Sequence, residues 1–513
     1  MKTTRKILAI LCAAAMLFSL AACGSTTSTP VTTSEPTAAA DSEEATPGHG
    51  SALADAPEKP DGEPGEKPDG EPPEKPDGES GKKPDGAPPE KPDGEPGEKP
   101  DGQPGGQGGG FGGSSEVTQG SSANTITEDG TYSGTTYSST GDDENALRVD
   151  GAAVTLDGVT VEKSAGATSN TENGDFYGVN AALLATNGAT VTIKNAAVTS
   201  SAQNGNSVFS YGSGTTVNIS DSTITTTADN SGGIQTTGGG TTNASNLTVE
   251  TSGNSSAAIR SDRGGGTVNV TGGTYTSNGY NSPAVYSTAD ITVSDAKLTA
   301  NNSEALVIEG KNSIVLVGCD VSGNMSDTKG TSSDENVHNV MIYQSMSGDA
   351  DVGTSTFSMT GGTLTGKNGD LIYVTNTHCV LTLSGVMIIN EDEEGYLLRV
   401  TGNSASHGWG TAGSNGAQVE FTADAQTLEG DILVDSISTL TMTLQNGSTF
   451  TGTINIVENA EGGTAAADNA VVTVGSGCIW TLTGNCTLTS LVNNGTINFN
   501  GYTITLADGT VMK

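Results

Sequence analysis

Between residues 152 and 321, apolar and polar positions fall into one ten-residue pattern that returns six times: AAVTLDGVTV (152–161), ATVTIKNAAV (189–198), TTVNISDSTI (215–224), GTVNVTGGTY (266–275), ADITVSDAKL (289–298) and NSIVLVGCDV (312–321). Each copy is apolar at its third, fifth and tenth positions, as in Val154, Leu156 and Val161 or Val191, Ile193 and Val198. A two-residue step is that of a strand with alternate side chains turned inward, and the five-residue step implies a bend before the next inward residue. Ahead of most copies lies a second short apolar run, such as ALRV at Ala146, ALLA at Ala182, AAIR at Ala257, PAVY at Pro283 and ALVI at Ala305. Each repeat therefore predicts about three short strands.

Weaker copies fit at Thr242, Ala244 and Val249, at Phe357, Met359 and Leu364, and at Cys379, Leu381 and Val386. The tenth-position anchors fall at 161, 198, 224, 249, 275, 298, 321, 364 and 386, and most steps are 22 to 26 residues. Three short strands with one apolar face cannot close a core alone, so the pattern predicts an all-β solenoid in which each coil is covered by its neighbours. The steps of 37 and 43 residues carry inserts, near residues 169–177 and 323–338, expected as loops thrown out of the coil. Strands around residues 124–137 are expected to cap its start. Strand-like runs persist near residues 396–400, 418–421, 440–444 and 471–474, and residues 480–506 alternate between Gly and Asn turns.

Composition agrees with a thin coil. Of 513 residues only 33% are hydrophobic and 4% aromatic, which is poor for a globule but suits a core made of one column of small aliphatics. The formal net charge of −38 argues against nucleic acid as a partner, because phosphate contacts need clustered Lys and Arg. It suits a protein kept soluble at a surface.

The first 22 residues read as an export signal. Lys2, Arg5 and Lys6 precede an apolar run over residues 7–20 that is short for a bilayer span. The run ends in Leu20-Ala21-Ala22-Cys23-Gly24, which resembles the bacterial lipoprotein lipobox. That resemblance implies that Cys23 is acylated and becomes the mature amino terminus, tethered to the outward face of a membrane. Residues 23–113 are expected to be a disordered linker: a Ser/Thr stretch, then Lys-Pro-Asp-Gly at 59, 67, 75, 83, 91 and 99, with seventeen of the chain's eighteen prolines. Proline has no N–H to donate and Asp-Gly favours turns, so neither helix nor sheet propagates. The composition changes near Ser114, and residues 114–513 form the predicted repeat domain.

The rungs, the YQSMSGD run at residues 343–349 and the Trp-containing ending at residues 480–506 resemble right-handed parallel β-helix proteins of the adhesin-like, pectate-lyase-superfamily type found on bacterial surfaces. The likeness spans about residues 114–513. It implies a right-handed parallel β-helix and says little of activity, since such rungs recur with unrelated functions. The ending also resembles those of autotransporter passenger domains.

Lyases on this fold use Ca²⁺-holding acids with an Arg or Lys base, and hydrolases use grouped carboxylates. The repeat domain has four arginines, Arg148, Arg260, Arg263 and Arg399, and in sequence none stands beside a convincing acidic cluster. Asp142, Asp143 and Glu144 read as a solvated turn, and the Gly-rich surroundings of Asp262 and Arg263 as turn glycines. No catalytic residue is assigned. No cofactor is expected, with Ca²⁺ at the acidic run of residues 391–394 as the one candidate cation. His407 and Trp409 are the candidate ligand-binding pair, because an exposed indole can stack on a pyranose. Trp480 is expected in the core or the carboxy-terminal cap. His338 and His378 lack companions at metal-ligand spacing. Cys319, Cys379, Cys478 and Cys486 are expected as small buried fillers.

Anchor, spacer and rod together read as a lipid-anchored, adhesin-like surface protein that binds extracellular glycans or proteins. A carbohydrate-active enzyme, polysaccharide lyase or glycoside hydrolase, stays open as the alternative if carboxylates converge in space. So does a structural spacer of the envelope.

Overall fold

The computed structural model describes residues 117–326 and 336–513, all within one compact unit, residues 102–513. The signal segment, Cys23, the proline-rich linker and the middle of the second insert lie outside the described residues. Among those described, no helix is long and apolar enough to cross a membrane.

The chain winds as a right-handed parallel β-helix with three long sheets. The first has fourteen strands, from Gly130–Ser133 to Ser490–Asn493. The second has ten, from Thr136–Ser139 to Met387–Asn390. The third has thirteen, from Thr125–Ile126 to Ile454–Val457. Fourteen strands at about 4.8 Å apart make a stack of about 60 Å. The ten-residue pattern supplies the first two sheets and the short apolar run supplies the third, so each repeat does yield three strands.

Register is uninterrupted. Val154, Val191, Val217, Thr242, Val268, Ile291, Ile314, Phe357, Leu381, Phe421, Met442 and Val472 pair in succession up the first sheet. Val161, Val198, Ile224, Val249, Tyr275, Leu298, Val321, Leu364 and Ile388 do so up the second. The last of these corrects the sequence reading, which placed the anchor at Val386. The true rung there is Leu381, Leu383 and Ile388, two residues further on. A slip of two keeps the same face inward, so the alternation cannot detect it.

The interior is a single apolar column; in its carboxy-terminal part Trp480 stacks on Phe450 with ring centroids 5.6 Å apart and donates Nε1–H to the Gly452 carbonyl at 3.1 Å. All four described cysteines are buried thiols that fill this interior. Burial pushes Cys486 up to about 11 and Cys379 still higher. At the end of the coil Ile504–Leu506 pairs antiparallel with Val511–Met512, the one reversed strand pairing among the described residues.

Two elements thrown off the coil position the site. The first insert forms the helix Thr171–Tyr177, started by Asn170, whose Oδ1 accepts the Asn173 N–H, and ended at Gly178 with φ +78°. A Cβ at Gly178 would meet Leu184 Cδ1 at 2.8 Å and the Phe209 ring at 3.1 Å, so the exit requires glycine twice over. The second element is the pair of segments 344–353 and 401–417, neither of which the repeat pattern singled out as an insert. Helix and segments lie against the outer face of the third sheet.

Candidate functional site

Along the third sheet, side chains between the inward ones point outward, where without a covering element they would meet water. Here they are covered. Leu306–Glu309, His338–Tyr343 and Asp370–Thr375 are buried at every position, the pattern of a strand covered on both faces. The outward row reads Phe209, Gln235, Arg260, Tyr286, Val307, Met341, Tyr373 and Arg399, one residue per coil.

Polar side chains in and beside this row hold the helix down. Gln235 Nε2 donates to the Asp175 carbonyl at 2.8 Å, Thr237 Oγ1 to the Phe176 carbonyl at 2.6 Å, and Asn145 Nδ2 to the Gly178 carbonyl at 2.8 Å. The helix thereby brings Asp175 over the sheet. Arg260 forms ion pairs with Asp175 Oδ1 at 3.1 Å and with Asp262 Oδ2 at 2.9 Å. Asn204 Nδ2 adds a hydrogen bond to Asp175 at 3.0 Å, and the Arg263 backbone N–H one to Asp262 at 3.0 Å. The Arg263 guanidinium reaches Asp349 at 2.7 Å and lies over the Phe176 ring at 4.0 Å. Two coils further on, Glu309 Oε2 accepts the hydroxyls of Tyr286 at 2.6 Å and Tyr343 at 3.1 Å, and its Oε1 accepts Ser345 Oγ.

These groups surround a cavity of about 310 Å³, lined by Asp175, Arg260, Asp262, Glu304, Asp349, Tyr286, Tyr343, Val307, Met341, His338 and Trp409 among others. That is the lower end of the size range for small-molecule sites. The cavity therefore draws on four consecutive coils, the helix and both covering segments.

The electrostatics carry the mark of burial. Asp262 is pushed up to about 7 by desolvation, with Arg260 opposing and Asp175 and Asp349 adding to the rise. Asp175 is raised by the same desolvation despite Arg260. Glu309 is raised by burial, against the lowering effect of its Ser345 and Tyr286 hydrogen bonds. Tyr286 and Tyr343 lie well above the usual phenol range, first because they are desolvated and then because Glu309 is beside them. Burial works against the charge of Arg260, but its two carboxylates more than offset that.

The sequence reading found no acidic cluster beside an arginine, and the structure overturns this. Arg260 has two aspartates, Arg263 has Asp349, and Arg399 meets Asp370 at 2.5 Å. Asp262 is only two residues from Arg260, but Asp175 and Asp349 lie 85 and 86 residues from their arginines, so no local window contains the cluster. Arg148 bonds instead to Asn145 Oδ1 and to the Gln119 carbonyl. Asp142 and Asp143 do form a turn, whose carboxylates accept the backbone N–H groups of Ala167 and Ser169 on the next coil.

Trp409 lies on the segment 401–417, 8% exposed, with its ring 4.8 Å from Tyr343 and 4.9 Å from His407. The indole is not the open stacking platform the sequence suggested; it is part of the cavity wall, and His407 packs behind it half-buried. In the acidic run of residues 391–394, Asp392 accepts the N–H groups of Gly369 and Glu394, which hold its carboxyl below the usual range. Among the described residues, no group of three or more His, Cys, Asp or Glu is arranged to hold a metal ion. His378 pairs with Glu420 at 3.1 Å, and the His338 ring lies 5.4 Å from Tyr373.

A signal for the site does exist in the sequence. Aligning the second apolar runs coil on coil places Arg260, Tyr286, Met341 and Tyr373 at one recurrent position, and large or charged residues at successive outward positions call for something to cover them.

No protein-family model matches the chain, and comparison with curated proteins likewise gives no match.

Proposed function

We propose that this is a lipid-anchored surface protein whose β-helix binds extracellular ligands, glycans foremost, in the cavity on its third sheet. The observation that carries the reading is the convergence there of fixed hydrogen-bonding groups and aromatic faces. Every carboxylate of the cluster is already oriented by protein donors: Asp175 by Arg260 and Asn204, Asp262 by Arg260 and Arg263, Glu309 by two tyrosines and Ser345. Groups held in this way present fixed acceptors at little ordering cost on binding, the design of a recognition wall. Tyr286, Tyr343 and Trp409 add the aromatic surface on which a sugar ring can lie. Screening the purified full chain against an array of extracellular glycans tests this: binding lost on Tyr286→Ala is expected, and no binding to any glycan would overturn it.

The anchor rests on Cys23. Cys23→Ala is expected to move the protein from the membrane fraction to the soluble one, and mass spectrometry of the wild-type amino terminus is expected to find acyl chains on that cysteine.

A carbohydrate-active enzyme on the same fold is the second reading, favoured by Asp262, a carboxyl poised near neutrality beside a second carboxylate and an arginine. Incubation with pectin, alginate and glycosaminoglycans, followed by absorbance of unsaturated products and by reducing ends, tests it; turnover abolished in Asp262→Asn would establish it over binding alone.

A further inference from the structure

The cavity is unbalanced in charge. Asp175, Asp262, Glu304, Glu309 and Asp349 stand in or directly behind its wall, against the guanidiniums of Arg260 and Arg263. Five carboxylates against two guanidiniums leave three negative charges uncompensated when all are ionised, and two when the His338 imidazole of the same lining is also protonated. Glu304 shows the shortage at residue scale, since the partner it finds is the neutral hydroxyl of Ser303, at 2.5 Å, while it is only 7% exposed. Desolvated negative charge is costly, and either a proton or a bound cation relieves it. Beside this surplus the wall turns aromatic, with Tyr286, Tyr343 and Trp409, whose ring faces attract cations electrostatically. Carboxylates alone suit many ligands and aromatic rings alone suit neutral sugars. Together they select a positive charge carried on a carbon skeleton.

We propose that the cavity takes a ligand bearing an ammonium group, held between the carboxylates of Asp262, Glu304 and Asp349 and the rings of Tyr286, Tyr343 and Trp409, with an amino sugar as its glycan form. This rests on the glycan-binding reading above and narrows it. An ammonium also occurs on a polyamine, so the test separates the two sources.

The experiment is calorimetric titration of the full chain at pH 6 with glucosamine oligomers, with N-acetylglucosamine oligomers of the same length, with spermidine and with Ca²⁺. The expected result is that the free amine binds at least about tenfold more tightly than its acetylated counterpart. Glu304→Gln and the more exposed Asp349→Asn are each expected to lower that preference several-fold, with unchanged melting as the check on folding. Equal affinity for amine and acetamide, or preference for the acetamide, would overturn the ammonium inference and leave glycan binding standing. Spermidine binding without sugar binding would keep the ammonium and remove the glycan. Binding of none of the four would remove both, and Ca²⁺ displacing the amine would overturn the proposal in favour of a metal site.

Discussion

Asp262 and Asp392 titrate in opposite directions, and the contrast shows what a neighbourhood does to a carboxyl. Asp392 accepts two backbone N–H groups and is held below its ordinary value of 3.8, so the stability it contributes is present above that value and is lost as acid protonates it. Asp262 rises from 3.8 to about 7, so the folded protein holds that proton more tightly than the unfolded chain does. Its contribution is therefore fully present below about 3.8 and is lost as pH rises through 7, a window separate from that of Asp392. Thermal melts of the full chain are expected to show a transition temperature that falls between pH 5 and pH 8, and Asp262→Asn is expected to flatten the decline. A slope unchanged in that variant would mean that Asp262 is not the titrating group. None of this was legible in the sequence, where Asp262 and Arg263 looked like part of a glycine turn. The turn glycines are real, Gly264 and Gly265 both having positive φ. The ion pairs beside them depend on a helix and a segment more than 80 residues away in each direction.

At the scale of elements, the strands of the first and second sheets were legible because only one face is buried. Thr190–Lys194 and Asp290–Ser294 alternate strictly between inward aliphatics and outward polar residues. The third sheet was legible as strand and illegible as site, because burial on both faces erases the alternation that would have told inside from outside. In Leu306–Glu309 the sequence cannot say that Ile308 faces the column while Val307 and Glu309 point to the covered outer face. The helix Thr171–Tyr177 was expected only as a loop, since seven residues are too few to display a helical period. Coil-on-coil stacking also fixes how damage spreads. Leu298 is fully buried between Tyr275 and Val321, and Leu298→Ala is expected to cost about 2–5 kcal/mol by denaturant unfolding. In hydrogen exchange the loss of protection is expected to be greatest in those two adjoining coils and to fade with distance along the stack.

For the described stack as a whole, the strands of each coil pair only with those of the adjoining coils, and the last sheet finishes on the antiparallel pairing of Ile504–Leu506 with Val511–Met512. A parallel stack otherwise ends in unpaired backbone groups, which invite another chain to continue it. Removal of residues 507–513 is therefore expected to give concentration-dependent association, seen by sedimentation velocity as species absent from the full chain; a variant that stays monomeric would show that the reversed strand guards nothing.

The reversed strand also separates length from identity. Because the described stack ends in one short hairpin and the coils are modules of about 25 residues, a duplicated rung could be spliced in between the segment 401–417 and that hairpin without disturbing either. Such a change would lengthen the stack by one strand spacing while leaving the cavity intact. The length of the stack and the lining of the cavity are thus two independently adjustable properties of one polypeptide.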